Sequence, residues 1–150
     1  MVLLASWYVG LDFSQRQVDI NRARFDDGSL EFKAGEGMTW VLRNGRRGSV
    51  FVTYGGVFEY FPQRRLQALL SWMAGALPPA LLGIVEPLAD GHAVDSDPHS
   101  VPYGAENTFS HLYPRLITQA GLRIFRRREC RVGAQRWLML VAHAAELSGA

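Results

Sequence analysis

The side chains with most to offer chemically sit at the ends of apolar runs. Residues 7–13 read W-Y-V-G-L-D-F, which places Asp12 at the tip of a strand-length apolar segment. A carboxylate there is costly unless something pairs with it. Its oxygens can accept from a ligand hydroxyl, or they can help Ser14 cap the helix that follows. Glu86 closes a second run, L-L-G-I-V-E, in the same way. Tyr54 ends S-V-F-V-T-Y and is followed directly by Gly55 and Gly56, a pair that permits close backbone approach to a ligand or simply makes a turn. Glu59 and Tyr60 lie on the same loop, and His111 and Tyr113 follow a long polar segment. Tyr54, Glu59, His111 and Tyr113 are therefore the candidates for handling a proton on a substrate. Each has a plainer reading as a turn, cap or packed residue.

Other chemistry finds little support. His92, His99, His111 and His143 form no helical i, i+4 pair and have no thiol beside them, so no metal site is expected. No G-x-S-x-G, P-loop or H-E-x-x-H pattern occurs. Cys130 is the single cysteine, which rules out an internal disulfide and makes a reducing, cytoplasmic setting the default. The charge is +2, with 15 arginines against Lys33 alone. These arginines are scattered, and the tightest group, Arg126 to Arg128, has no aromatic platform interleaved with it, so there is no strong nucleic-acid signal. The longest apolar stretch, Leu66 to Val85, is broken by Gln67, Ser71 and Pro78-Pro79, and it reads as a helix followed by a strand and not as a membrane span.

The elements that must position these residues follow from hydrophobic period and punctuation. At 150 residues a single domain is expected. Trp7 to Phe13 reads as a strand covered on both faces, and Ser14 with Gln17 reads as a capping box opening a helix to about Arg24. Leu30 to Ala34 is a short strand, Gly35-Glu36-Gly37 ends it, and Met38 to Leu42 starts a short helix. Ser49 to Tyr54 is another strand of buried character. Leu66, Leu69, Leu70, Met73 and Leu77 fall at helical spacing between Pro62 and Pro78, and Leu81 to Val85 is the next strand. Residues 88–107 read as a long loop, a lid or substrate loop. A helix is expected from about Thr108 to Ala120, then Leu122–Arg128 and Arg136–His143 as an antiparallel hairpin. Trp137 to Ala142 is apolar throughout, which demands burial on both faces.

An acid closing an early strand, a β-α-β run and a terminal hairpin with a buried last strand together resemble class I S-adenosylmethionine-dependent methyltransferases. V-G-L-D-F-S resembles the acidic motif of that family. L-E-F-K-A-G-E-G resembles its adenine-side turn, and V-F-V-T-Y-G-G-V-F-E-Y-F its strand beside the methionine end and the acceptor. L-L-G-I-V-E-P and Y-P-R-L-I-T-Q-A-G-L-R-I resemble its late strand and helix. The resemblance implies a Rossmann-like α/β sheet, mostly parallel, with a C-terminal antiparallel hairpin. It implies S-adenosyl-L-methionine as cofactor, held by Asp12 and Phe13 at the ribose, Glu36, Gly37 and Met38 at the adenine, and Tyr54, Gly55 and Gly56 at the methionine end. It further implies methyl transfer to a small-molecule acceptor. A non-catalytic remnant or accessory subunit, and a nicotinamide-binding Rossmann domain, are the alternatives.

One departure is large. The family's first strand and glycine-rich loop precede the acidic strand, and that first strand lies between the strands ending here at Asp12 and Tyr54. Only M-V-L-L-A-S precedes Trp7. An N-terminally truncated sheet is therefore expected, or a start placed too late, with the gap closed by re-pairing or by a homodimer.

Overall fold

The computed structural model describes residues 7–105 and 107–144, which group into two compact units, 1–45 and 46–150. The segment M-V-L-L-A-S, on which the truncation expectation falls, lies outside the described residues.

In the first unit, β1 (Tyr8–Asp12) pairs in parallel with β2 (Leu30–Ala34), from Tyr8 opposite Leu30 to Asp12 opposite Ala34. Helix α1 (Gln15–Arg24) connects them, and α2 (Gly37–Asn44) follows β2. Gly10 has a packing reason, since a Cβ there would lie 2.6 Å from the ring of its cross-strand partner Phe32. The expectation of a strand buried on both faces is not met. Trp7 and Tyr8 are nearly half exposed, Phe13 is more so, and Val9 to Asp12 are only partly covered. A two-stranded sheet has one neighbour per strand and too little apolar surface to enclose both faces.

The second unit is built on a four-stranded sheet in the order β3-β4-β8-β7. Strand β3 (Val50–Tyr54) runs parallel to β4 (Ala80–Leu88), and α3 (Gln63–Ala76) joins them. Strand β8 (Gln135–Ala144) lies antiparallel to both β4 and β7 (Arg123–Val132), so the last strand is inserted inside the sheet as expected. One sheet face is the core. It carries Ala80, Leu82 and Ile84 of β4 and Leu138, Leu140 and Ala142 of β8, all at 1% exposure or less, against the buried side chains of α3.

Three details of the second unit depart from expectation. On β8 only alternate residues are fully buried, while Trp137, Met139 and Val141 on the other face are partly open. On β3 that open face carries Val50, Val52 and Tyr54, which are 48%, 71% and 80% exposed, because β3 is the edge strand of its sheet. Third, residues 88–107 are not a structureless loop. His92 is buried and bonded to Ser110 Oγ at 2.8 Å, and Arg115 and Arg136 donate to the carbonyls of Asp97, Pro98, Ala89 and His92. The segment then forms a hairpin, β5 (Val101–Tyr103) with β6 (Thr108–Ser110). The helix expected from Thr108 consequently starts later, as α4 (Tyr113–Gln119), with Pro114 in its first turn where a missing N–H is harmless.

No helix among the described residues is long and apolar enough to cross a membrane. Within Arg126–Arg128, Arg127 is held by a bidentate pair with Asp95 and by Glu129, so it is not available as part of an anion-binding strip.

Candidate functional site

On the first unit the candidates gather at the carboxyl end of the parallel pair. Asp12 Oδ1 accepts from Ser14 N at 2.7 Å, and Ser14 Oγ accepts from Gln17 N at 3.2 Å. The helix cap is thus a relay from Asp12 through Ser14, and not a reciprocal box with Gln17, whose amide donates instead to Asn21. Asp12 Oδ2 has no donor among the described residues. Glu36 is the N-cap of α2. Its two oxygens accept from Met38 N at 3.2 Å and Thr39 N at 2.8 Å, and it also bonds the Thr39 hydroxyl. Gly37 begins that helix and Met38 is buried, while Phe13 projects outward.

On the second unit, Tyr54 ends β3 with its side chain in solvent, and Gly55 N continues the ladder to Val85 O at 3.1 Å. Gly55 and Gly56 both have positive φ, +82° and +88°, so the pair turns the chain sharply inward. A 3-10 turn, Phe58–Tyr60, follows and is anchored by Glu86. Glu86 is fully buried and accepts from Thr53 Oγ1 at 2.6 Å, Val57 N at 3.1 Å and Phe58 N at 3.1 Å. Burial pushes its pKa up to about 7 against the pull of these bonds, and the nearby charge of Glu59 adds to the rise.

Glu59 is 7% exposed and takes a very short hydrogen bond from the Tyr103 hydroxyl. Burial, then that bond and Glu59's charge, keeps the Tyr103 phenol well above its ordinary pKa, so it remains a donor. Glu59, Tyr60, Tyr103, Gly104, Ala105 and Thr108 line a cavity of about 250 Å³ between the 3-10 turn and the β5-β6 hairpin. Sequence reasoning found Glu59 and missed Tyr103. The signal available was an aromatic residue beside Gly104 inside a segment read as loop.

His111 and Tyr113 do not line this cavity. His111 is fully buried, its Nε2 donating to Phe61 O at 3.0 Å and its Nδ1 facing Ser100 Oγ at 2.9 Å. Burial lowers its pKa to about 4, so the ring is neutral near pH 7. Tyr113 is also fully buried, and its hydroxyl, a neighbour of Glu86, makes no hydrogen bond of acceptable geometry. Both belong to the interior that supports the turn. No group of three or more His, Cys, Asp or Glu among the described residues is arranged to hold a metal.

No protein-family model and no curated protein sequence matches the chain. Solved structures do match its fold. A putative S-adenosylmethionine-dependent methyltransferase from Listeria monocytogenes superposes with a TM-score of 0.68 at 8% identity, over 95% of this chain and 82% of that one. Magnesium protoporphyrin IX methyltransferase from Synechocystis, with S-adenosylmethionine bound, gives 0.59 at 12% identity over 93% and 60%. A TehB-like methyltransferase from Corynebacterium glutamicum gives 0.57 at 14% identity over 91% and 67%. The chain therefore has the Rossmann-like fold of class I S-adenosylmethionine-dependent methyltransferases. It spans about two thirds or less of the length of the Synechocystis and Corynebacterium proteins.

Proposed function

We propose that this protein is an S-adenosylmethionine-dependent methyltransferase acting on a small molecule. When bound, the cofactor supplies an electrophilic methyl group on a sulfonium, so the protein's part is alignment and exclusion of water. The observation that carries the reading is Asp12. It sits at the carboxyl end of a strand, where open α/β sheets take their ligands, with one oxygen fixed by Ser14 and the other without a donor among the described residues. A ribose diol donates, and a carboxylate so held can only accept, so the chemistry fits. Glu36 fits the adenine less well because both its oxygens already cap α2, and Gly37 and Met38 stay as the turn's candidates there. Titrating S-adenosylhomocysteine into the chain by calorimetry should give micromolar binding, weakened tenfold or more, about 1.4 kcal/mol, in Asp12→Ala. No binding by a folded wild-type chain would defeat the reading.

One observation favours a homodimer that closes the sheet. The edge of β3 away from β4 carries the N–H and C=O groups of Val50, Val52 and Tyr54, and no described residue pairs with them. The strand V-F-V-T-Y has no charge, proline or bulge to blunt that edge. A second copy could pair with it antiparallel about Val52. Sedimentation should then show a dimer that Val52→Lys converts to a monomer, and a monomeric wild type would exclude this closure.

A further inference from the structure

We propose that the Glu59–Tyr103 cavity seats an ammonium group, so that the small molecule this protein takes is an amine. The inference rests on the methyltransferase reading only in calling that molecule the methyl acceptor; the binding site stands on the second unit alone.

Glu59 is an incompletely satisfied carboxylate. Glu59 Oε2 receives the Tyr103 hydroxyl, and Oε1 has no donor among the described residues although the side chain is 7% exposed. Oε1 is reached from the cavity that Glu59 lines, and a carboxylate placed there draws a cation or strong donors to itself. The chain provides no cation: among the described residues no Lys, Arg or His pairs with Glu59 or with its neighbour Glu86. The Glu59 carboxylate, without a counter-charge among the described residues, gives the cavity a negative potential, which repels phosphates and carboxylates and attracts cations.

The walls select among cations. Tyr60 and Tyr103 are aromatic lining residues, and aromatic rings attract ammonium and alkylammonium groups. Calcium or magnesium would need about six oxygens or more, and one carboxylate, two phenols and the Thr108 hydroxyl fall short; no group of three or more His, Cys, Asp or Glu among the described residues is arranged to hold a metal. Gly104 and Ala105 leave the mouth free of large side chains, and about 250 Å³ suits a molecule of benzylamine size. Gly56 completes the fit, because a Cβ there would lie 2.1 Å from Glu59 Oε1 and push the carboxylate out of place.

The test is titration of benzylamine, benzyl alcohol and benzoate into the full chain at pH 7 without cofactor, followed by NMR. Benzylamine should bind at least tenfold more tightly than either analogue, and Glu59→Gln should abolish that preference. Because Glu59→Gln alters a buried group, Ala105→Phe is the companion variant. It narrows the cavity from an exposed loop position and should also remove benzylamine binding. Equal binding of benzylamine and benzyl alcohol, or a preference that survives both variants, would overturn the site. Loss of S-adenosylhomocysteine affinity in Glu59→Gln, with benzylamine displaced by that ligand, would assign the cation to the cofactor's amino-acid end and overturn the amine acceptor. Benzylamine binding beside a wild-type chain that ignores S-adenosylhomocysteine would sustain the cavity while removing the methyltransferase reading.

Discussion

Glu86→Gln is expected to make stability rise by about 2 kcal/mol between pH 5 and pH 7 relative to wild type, and His111→Asn to make it fall by a similar amount. The two groups act against each other in the wild-type chain. Glu86 has a folded pKa of about 7, above the ordinary 4.5, so the folded state holds its proton more tightly. Its contribution is therefore full at low pH and is lost as pH rises through 7. His111 has a folded pKa of about 4, below the ordinary 6.5, so the unfolded state takes up a proton first. Its contribution is full above 6.5 and is lost as pH falls toward 4. The shifts are opposite in sign, so between pH 5 and 7 the two contributions oppose each other. Removing either titration unmasks the other. Urea unfolding at pH 5, 6 and 7, followed by a tryptophan of the second unit, reads the slopes directly, and absolute losses in either variant do not affect the comparison. Parallel profiles for wild type and both variants would mean that neither group changes its protonation on folding.

The same two residues show why the interior was hard to read from sequence. Glu86 and His111 are visible in the sequence as polar residues beside apolar runs, Glu86 open to a crevice-facing or a satisfied strand-end role and His111 to an acceptor-side or a surface or cap role. What decides between them is the set of backbone N–H and C=O groups that a 3-10 turn directs inward, at Val57, Phe58 and Phe61. That turn has no strong sequence signature, being only three residues long. The regular elements were legible because their signals are local. Ser14 and Gln17 mark the start of α1, the leucine spacing marks α3, and Gly133 marks the β7-β8 turn. The hairpin's place inside the sheet followed from the apolar run in β8 together with the family resemblance. On β1 and β3 the expected burial is not found, because an apolar run shows that a strand can be covered and not that a neighbour covers it. The segment 88–107 failed for a third reason. Its order comes from arginines far along the chain, Arg115, Arg127 and Arg136, whose long-range bonds leave no mark on local composition.

Gly55 and Gly56 look equivalent in sequence, yet substituting them should have very different effects. Both require a left-handed backbone, which costs an alanine about 1–2 kcal/mol. At Gly55 nothing lies within 4 Å of an added Cβ, so Gly55→Ala should cost only that amount. At Gly56 the Cβ would meet Glu59 Oε1 at 2.1 Å and Cδ at 2.9 Å, with Pro87 at 3.4 Å behind. The carboxylate must then leave its bond with Tyr103 or the turn must open, and either raises the cost of Gly56→Ala to about 3 kcal/mol or more. A double-mutant cycle separates backbone from contact. In a Glu59→Ala background the obstruction is gone, and Gly56→Ala should cost no more than Gly55→Ala. A coupling of about 2 kcal/mol between positions 56 and 59 would tie the glycine to the seating of the carboxylate. Additivity would leave Gly56 as a turn residue only, and the Glu59 carboxylate would then owe its position to Tyr103 alone.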